Sequence, residues 1–284
     1  MANRDLKVTL ESILDEQIIE NIPKTGIIHT RLGKEYFLKS GIPSQSYLCE
    51  ANGLKELAKT NIIEVAEVIS VGEDYILTQY IAQGNKPNNF FENFGRKFAQ
   101  LHQFHGQQFG FYEDNFIGMN PQWNIPTAEE KNNWIVFYFN KRLLYQYKLA
   151  EKNNYISSSL RANFIKLESK IEQILKTNDQ NIPSLLHSDL WAGNFLCNKN
   201  GNPVLIDPAV YYGHREADLA ITKVFGGFSS SFYDAYIKEY PLEKGWQYRE
   251  NIYKLYHLLN HLNLFGKSYL AEVEYIVKKY VKDC

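Results

Sequence analysis

Cysteine is scarce in this chain: Cys49, Cys197 and Cys284 are all there are among 284 residues. An odd number of widely spaced thiols, in no metal-ligand or redox pattern, excludes a disulfide framework and argues against a zinc site. No apolar run approaches the roughly 20 residues that cross a bilayer. The N-terminal Met-Ala-Asn-Arg-Asp-Leu-Lys has no apolar segment of the signal-peptide kind, so a cytoplasmic protein without membrane contact is expected. An excess of one charge is missing too. Thirty-one Lys and Arg against 32 Asp and Glu leave a formal net charge of -1, without the basic field that phosphate backbones require, so nucleic acid is excluded as a partner.

What is present reads as a folded enzyme. Hydrophobic residues at 44% and charged residues at 22% are ordinary for a globular chain, and 20 tyrosines raise the aromatics to 14%. The length suffices for two lobes, each with its own apolar core. Leu6, Leu10, Ile13 and Leu14 fall at helical spacing, and short apolar runs follow at Ile18-Ile19, Ile27-Ile28 and 36–38. Gly33 sits where two short strands would reverse, which predicts a hairpin turning at 31–34. The pattern then predicts a helix over about 46–59, strands over 65–69 and 75–79, and a cluster of turn residues over 83–87. The lobe boundary is placed there, giving an N-terminal nucleotide-binding lobe over 1–83 and a mainly helical catalytic and acceptor-binding lobe over 84–284. In that second lobe the helical period recurs at Phe94, Phe98 and Leu101, over 134–149 and over 160–175, and it is interrupted by a strand-turn-strand pattern over 195–206. The expected fold class is α+β. No heptad separates an exposed apolar helix from a core one, so the pattern sets no oligomeric state.

The chemistry clusters beside that hairpin. His187-Ser188-Asp189-Leu190-Trp191-Ala192-Gly193-Asn194 matches H-x-D-L-x-x-x-N, in which the Asp is a catalytic base and the Asn a metal ligand. Asp207 lies thirteen positions beyond Asn194, at the far end of the hairpin. An amide and a carboxylate are oxygen donors suited to Mg²⁺, whose remaining ligands come from phosphate and water. Upstream, Lys39 ends the strand 35–39 as the ATP-binding lysine does in V-A-I-K. Glu50 shares a helix face with Leu54 and Leu57, and a carboxylate on an apolar face needs a partner, for which Lys39 is the candidate. Glu56 lies off that face and is expected to be solvated. These features predict a two-lobed protein-kinase-like phosphotransferase using ATP and Mg²⁺.

At this point the chain resembles the fructosamine kinase family over nearly its whole length after about Glu35. Besides the catalytic segment, the resemblance is carried by F-G-F-Y-E-D-N-F-I-G-M-N-P-Q-W-N at 109–124, the helix at 134–146, I-D-P-A-V-Y-Y-G-H-R-E-A-D-L-A at 206–220, F-G-G-F at 225–228 and N-H-L-N-L-F-G at 260–266. It implies phosphorylation of a ketosamine at the hydroxyl of its third carbon, after which the labile adduct releases its amine. The acceptor would be a small sugar-amine or a glycated lysine on a protein. It also implies that Asp189 is the base, that Asn194 and Asp207 bind Mg²⁺, that Lys39 and Glu50 position phosphates, and that the backbone of Gln79, Tyr80 and Ile81 borders adenine. Trp191 either stacks on the sugar or packs in its loop. His214 belongs with Trp191 on the substrate side, whereas His187 and Asp218 support the catalytic loop and His102 packs a helix. Residues 118–124 either line the substrate pocket or cap a helix.

One stretch departs from the family pattern. Where relatives have a Gly-rich loop over the phosphates, residues 21–29 contain a single glycine and are shorter. Three readings follow: weak ATP affinity, a compact turn in which Lys24 and Gly26 contact phosphate, or lost catalysis. The competing functions are accordingly an aminoglycoside or choline-type kinase and a non-catalytic nucleotide-binding homologue.

Overall fold

In a computed structural model, residues 2–42 and 44–282 are described, so Cys284 lies outside them. The chain begins with α1 (Ala2–Leu14), β1 (Thr25–His29), β2 (Glu35–Ser40), α2 (Gln45–Ala58), β3 (Glu64–Val65), β4 (Val68–Val71) and β5 (Tyr75–Gln79). There follow α3 (Phe90–His102), β6 (Asn115–Ile117), β7 (Asn120–Gln122), α4 (Trp134–Tyr138), a π-helical turn (Phe139–Leu144), α5 (Tyr145–Lys152), α6 (Ser158–Glu168) and α7 (Ile171–Leu175). The last part holds β8 (Ser184–Leu186), β9 (Phe195–Cys197), β10 (Pro203–Leu205), β11 (Tyr211–Gly213), α8 (Arg215–Ile221), α9 (Ser230–Glu239), α10 (Trp246–Phe265) and α11 (Leu270–Lys282). No helix among the described residues is long and apolar enough to cross a membrane.

Contacts divide the chain into one unit of Met1–Phe90 with Phe195–Pro208 and a second of Phe91–Asn194 with Ala209–Cys284. This differs from the border expected after residue 83, and it moves the 195–208 hairpin from the helical part to the N-terminal one. The reason is strand pairing that no local pattern reveals. β10 pairs antiparallel with β9 and parallel with β3, placing Val204 beside Glu64 and Leu205 beside Val65. Asn198 Nδ2 then donates to Glu64 Oε2 at 2.7 Å.

The first unit is built on an antiparallel sheet in the order β1-β2-β5-β4. Its first hairpin turns at Gly33, which has φ 81, a left-handed conformation that glycine adopts without a Cβ penalty. Alternation along the strands sorts side chains to two faces. Leu38 of β2 and Tyr75 and Leu77 of β5 pack with Leu6 and Leu10 of α1, and full burial of such a leucine contributes roughly 1.5–3 kcal/mol. The strand expected over 65–69 is two strands in different sheets. Ala66 N–H donates to Leu205 O and Gln79 N–H to Glu67 O, so the chain changes partners at 66–67.

The second unit is mainly helical. Phe94, Phe98, Phe228 and Phe232 form one aromatic core, with T-shaped, stacked and tilted rings 5.0–6.2 Å apart. Trp134 centres another with Phe109, Phe137, Tyr211 and Tyr253. The helix expected over 160–175 is broken at Ser169 and Lys170, and that over 134–149 passes through the π-helical turn.

Candidate active site

In the first unit, the face of the sheet opposite α1 borders a cavity of about 240 Å³. Period-2 alternation brings Phe37 and Lys39 of β2 and Ile76 and Thr78 of β5 to it. Glu50 and Leu54, one turn apart on α2, face the same space, as do Ile206 and Asp207 after β10. Ser44 caps α2, accepting the Ser46 N–H at 3.2 Å. Gln79, Tyr80 and Ile81 line the cavity as well. Six of the first-unit residues singled out from the sequence, Lys39, Glu50, Gln79, Tyr80, Ile81 and Asp207, therefore meet around one space, and Lys24 and Gly26 do not line it.

Lys39 is the hub of that space. Its Nζ donates to Glu50 Oε1 at 2.8 Å and also to Asp207 Oδ1. Asp207 has φ 53, an uncommon conformation for a residue with a Cβ. Burial alone would lower the Lys39 pKa, but the two carboxylates outweigh it and hold the ammonium above its ordinary value. Glu50 is pushed up to about 6, first by burial and further by the negative charge of Asp207, with Lys39 opposing. Apolar walls with charged groups at one end can take a flat ring and steer an attached polyanion toward the ammonium. Glu56 is not solvated as expected: it is 7% exposed and accepts from Lys59 Nζ at 2.6 Å. The physical reason is that α2 buries more than one stripe, with Ala51, Gly53, Leu54 and Leu57 all inside.

In the second unit, residues 187–194 form the loop expected to carry the base. Asn194 Nδ2 donates to Asp189 Oδ2 at 2.9 Å and to Asp189 O at 2.8 Å, joining the two ends of the loop. Asp218, with no exposed surface, accepts the N–H of His187 and of Ser188, each at 2.7 Å. His102 Nε2 lies 3.2 Å from the same carboxylate. A carboxylate can only accept, so Nε2 carries the proton, and Nδ1 accepts the Tyr236 hydroxyl at 2.7 Å. Burial lowers the His102 pKa against the pull of Asp218, which suits a neutral ring. His102 thus braces the loop as well as packing α3. His187 is fully buried, and its Nδ1 accepts the Asp189 N–H at 3.3 Å.

Two substrate-side expectations part company. Trp191 is 39% exposed, lies edge-on to Phe225 at 6.0 Å, and covers Gly193 so closely that a Cβ there would sit 2.3 Å from the indole. His214 is 1% exposed, which removes it from substrate contact. Its Nε2 bonds Asp179 Oδ1 at 3.1 Å, its Nδ1 accepts the Glu216 N–H at the start of α8, and its ring stacks on Tyr253. Its sequence position cannot reveal this, because Asp179 lies 35 residues away. Asp179 also binds Arg215 Nη2 at 2.9 Å, and the His214 and Arg215 bonds outweigh burial to hold its carboxyl well below the usual range.

The sequence model of the fructosamine kinase family matches residues 18–283, which include every residue named above as a candidate. The chain belongs to the fructosamine kinase family. A protein from Enterococcus faecium named as a probable ketoamine kinase is 38% identical over 255 residues, covering 87% of this chain and 88% of its own. The chloroplastic protein-ribulosamine 3-kinase of Arabidopsis thaliana is 39% identical over 242 residues, covering 82% and 71%. The solved structure of a candidate fructosamine-3-kinase from Thermobifida fusca superposes with a TM-score of 0.84 at 25% identity, over 96% of this chain and 97% of that one. The fold is therefore protein-kinase-like and the protein is a phosphotransferase. All of α1 precedes the part matched by the fructosamine kinase family, yet Leu6 and Leu10 are built into the first-unit core.

The raised Glu50 pKa gives the kinase a pH signature. A carboxyl raised to about 6 is ionised above that pH and protonated below it, so the charged pair with Lys39 weakens as pH falls. KM for ATP is expected to rise about threefold or more between roughly pH 7.5 and 5.5. Steady-state kinetics across that window would check this, with the rise absent in Glu50→Gln.

Proposed function

We propose that this kinase transfers the γ-phosphoryl group of ATP to the third-carbon hydroxyl of a ketosamine, giving a labile adduct that releases its amine. The observation that carries the reading is Lys39 held between Glu50 and Asp207 at one end of the cavity lined by Gln79, Tyr80 and Ile81. Relatives named ketoamine kinase and ribulosamine 3-kinase along most of their length support the acceptor class over an aminoglycoside or choline.

In this reading ATP places its ring against the apolar walls and its phosphates at Lys39. Asp189 is the base: Asn194 donates to its carboxylate, which takes the proton of the acceptor hydroxyl as the phosphoryl group arrives. Trp191 is 39% exposed, and we assign stacking on the sugar to its indole. Asn194 and Asp207 are the residues we assign to Mg²⁺. The donor chemistry fits, since one amide oxygen and one carboxylate leave the remaining ligands to phosphate and water. Among the described residues no three His, Cys, Asp or Glu gather as an all-protein metal site would need. Mg²⁺, when bound, supplies neutralisation of charge on the phosphates.

Between Ile18, which bridges Thr30, and β1, the phosphate-side turn is reduced to residues 19–24. Ser40 N–H donates to Lys24 O at the neck of this turn, which supports the compact reading over lost catalysis. A cytoplasmic location is part of the proposal, resting on the few dispersed cysteines. Mg²⁺-dependent ATP consumption should appear with a ribose- or fructose-derived ketosamine of lysine, and not with an aminoglycoside, choline or no acceptor. Parallel arms with free and peptide-borne glycated lysine would show whether the acceptor is a metabolite or a protein. Turnover with the aminoglycoside or choline alone would replace the ketosamine reading.

A further inference from the structure

The family-specific segment 109–124 contains the β6–β7 hairpin, whose last residue, Gln122, is 1% exposed. Its Nε2 donates to Asn115 Oδ1 at 2.8 Å and to Ala209 O at 2.9 Å. Its Oε1 accepts the Tyr256 hydroxyl at 2.7 Å and the Ser188 hydroxyl at 3.2 Å. A backbone carbonyl can only accept, so the Ala209 bond decides which end of the amide is nitrogen. The amide thereby uses two donors and two acceptor positions on four separate stretches of chain, and any other side chain there would leave buried groups unmatched.

Ser188 is the informative partner. It immediately precedes Asp189 and has φ 67, a conformation that a residue with a Cβ holds only when its surroundings impose it. Asp218 Oδ1 takes its N–H at 2.7 Å, and Gln122 takes its hydroxyl. One side chain thus grips the backbone and another the side chain of the same strained residue. The peptide joining Ser188 to Asp189 sets the direction in which the Asp189 carboxylate leaves the backbone.

Gln122 is itself held rigidly. Arg142, fully buried in the π-helical turn, donates to Trp123 O and Asn124 Oδ1, each at 2.6 Å, and lies 4.0 Å above the Tyr211 ring. π-helical turns recur at functional sites. The Tyr256 hydroxyl is raised above its ordinary pKa by burial, against Arg142, and the Asp189 charge adds to the rise, which places the phenol within reach of the base's field.

We propose that Gln122 is a positioning residue for Asp189, acting through the hydroxyl of Ser188. This rests on Asp189 being the base. Steady-state kinetics and thermal unfolding would compare the whole wild-type protein with Asp189→Asn, Gln122→Leu, Gln122→Glu, Ser188→Ala and the Ser188→Ala, Gln122→Leu double variant. Gln122→Leu should lower kcat by about 10- to 100-fold, as a misplaced catalytic group does, with KM for ATP within about twofold of wild type. The double variant should lose no more than Gln122→Leu alone, because both changes cut one link. Gln122→Glu regains a donor only when its carboxyl is protonated, so its kcat relative to wild type should improve toward acid pH.

A kcat within about twofold of wild type for Gln122→Leu, or single losses that add fully in the double variant, would overturn the proposal. Should Gln122→Leu fail to fold, Ser188→Ala carries the test, since it deletes only a hydroxyl: a kcat loss at constant KM supports the link, and an unchanged kcat sinks it. Turnover by Asp189→Asn would instead remove the base assignment beneath it, an outcome distinct from a silent Gln122→Leu beside a dead Asp189→Asn.

Discussion

Asp189→Asn is expected to lower kcat by roughly 10²–10⁴-fold while leaving nucleotide affinity nearly unchanged. The amide is close in shape to the carboxylate, and its oxygen can still accept from Asn194 Nδ2, so the loop keeps its closure. It cannot take a proton from the acceptor hydroxyl, and losing a positioned base costs about 3–5 kcal/mol of barrier. Lys39 and Glu50, which we propose position the nucleotide, and Asp207, which we propose holds the metal, belong to the other compact unit and keep their pairing. Calorimetric titration with nucleotide, beside ATP consumption with a ketosamine, separates the two effects. Turnover within a few-fold of wild type would mean that another group accepts the proton. Loss of nucleotide binding would mean that the substitution disturbs more than the base.

Asp218→Asn should be the most damaging change at a residue that touches no substrate. The wild-type carboxylate accepts two backbone N–H groups and faces His102 Nε2, all without solvent. An amide has one acceptor oxygen and an NH₂ that would confront donors, so one or two buried N–H groups lose their partner. Each costs about 1–3 kcal/mol, which gives a destabilisation of roughly 2–5 kcal/mol by denaturant titration. At a temperature where the variant is still folded, kcat should also fall by about tenfold or more, because the Ser188 peptide is released on one side, while KM for ATP holds. Wild-type kcat in a destabilised variant would make Asp218 a purely structural residue.

The elements and pairings read most directly are those whose causes are local. The strand Tyr75–Gln79 and the hairpin at Gly33 follow from alternation and one left-handed residue. The Lys39–Glu50 pair follows from a strand end and an i, i+4 helix face, both periodic properties of neighbours in sequence. Where the sequence misleads, the deciding partner is far along the chain. Residues 65–69 look like one strand because all are compatible with a sheet, but β10 claims the first part and β5 the second, some 140 and 10 residues away. Glu56 looks solvated because helical periodicity records one stripe, whereas α2 is covered on more than one.

By itself the sequence determined the reaction class, because a base, a metal-binding amide and carboxylate, and a phosphate-binding lysine must occur in a fixed order along a strand-loop-hairpin, and spacing records that order. Only the tertiary structure decided which polar residues are buried and which neighbours they hold in place. His214 and Gln122 are equally polar and sit in equally family-like segments. One is bound to Asp179 and the other grips the residue before Asp189. That difference lies in hydrogen bonds between segments 35 to 134 residues apart, and hydrophobic period and local spacing carry no record of them.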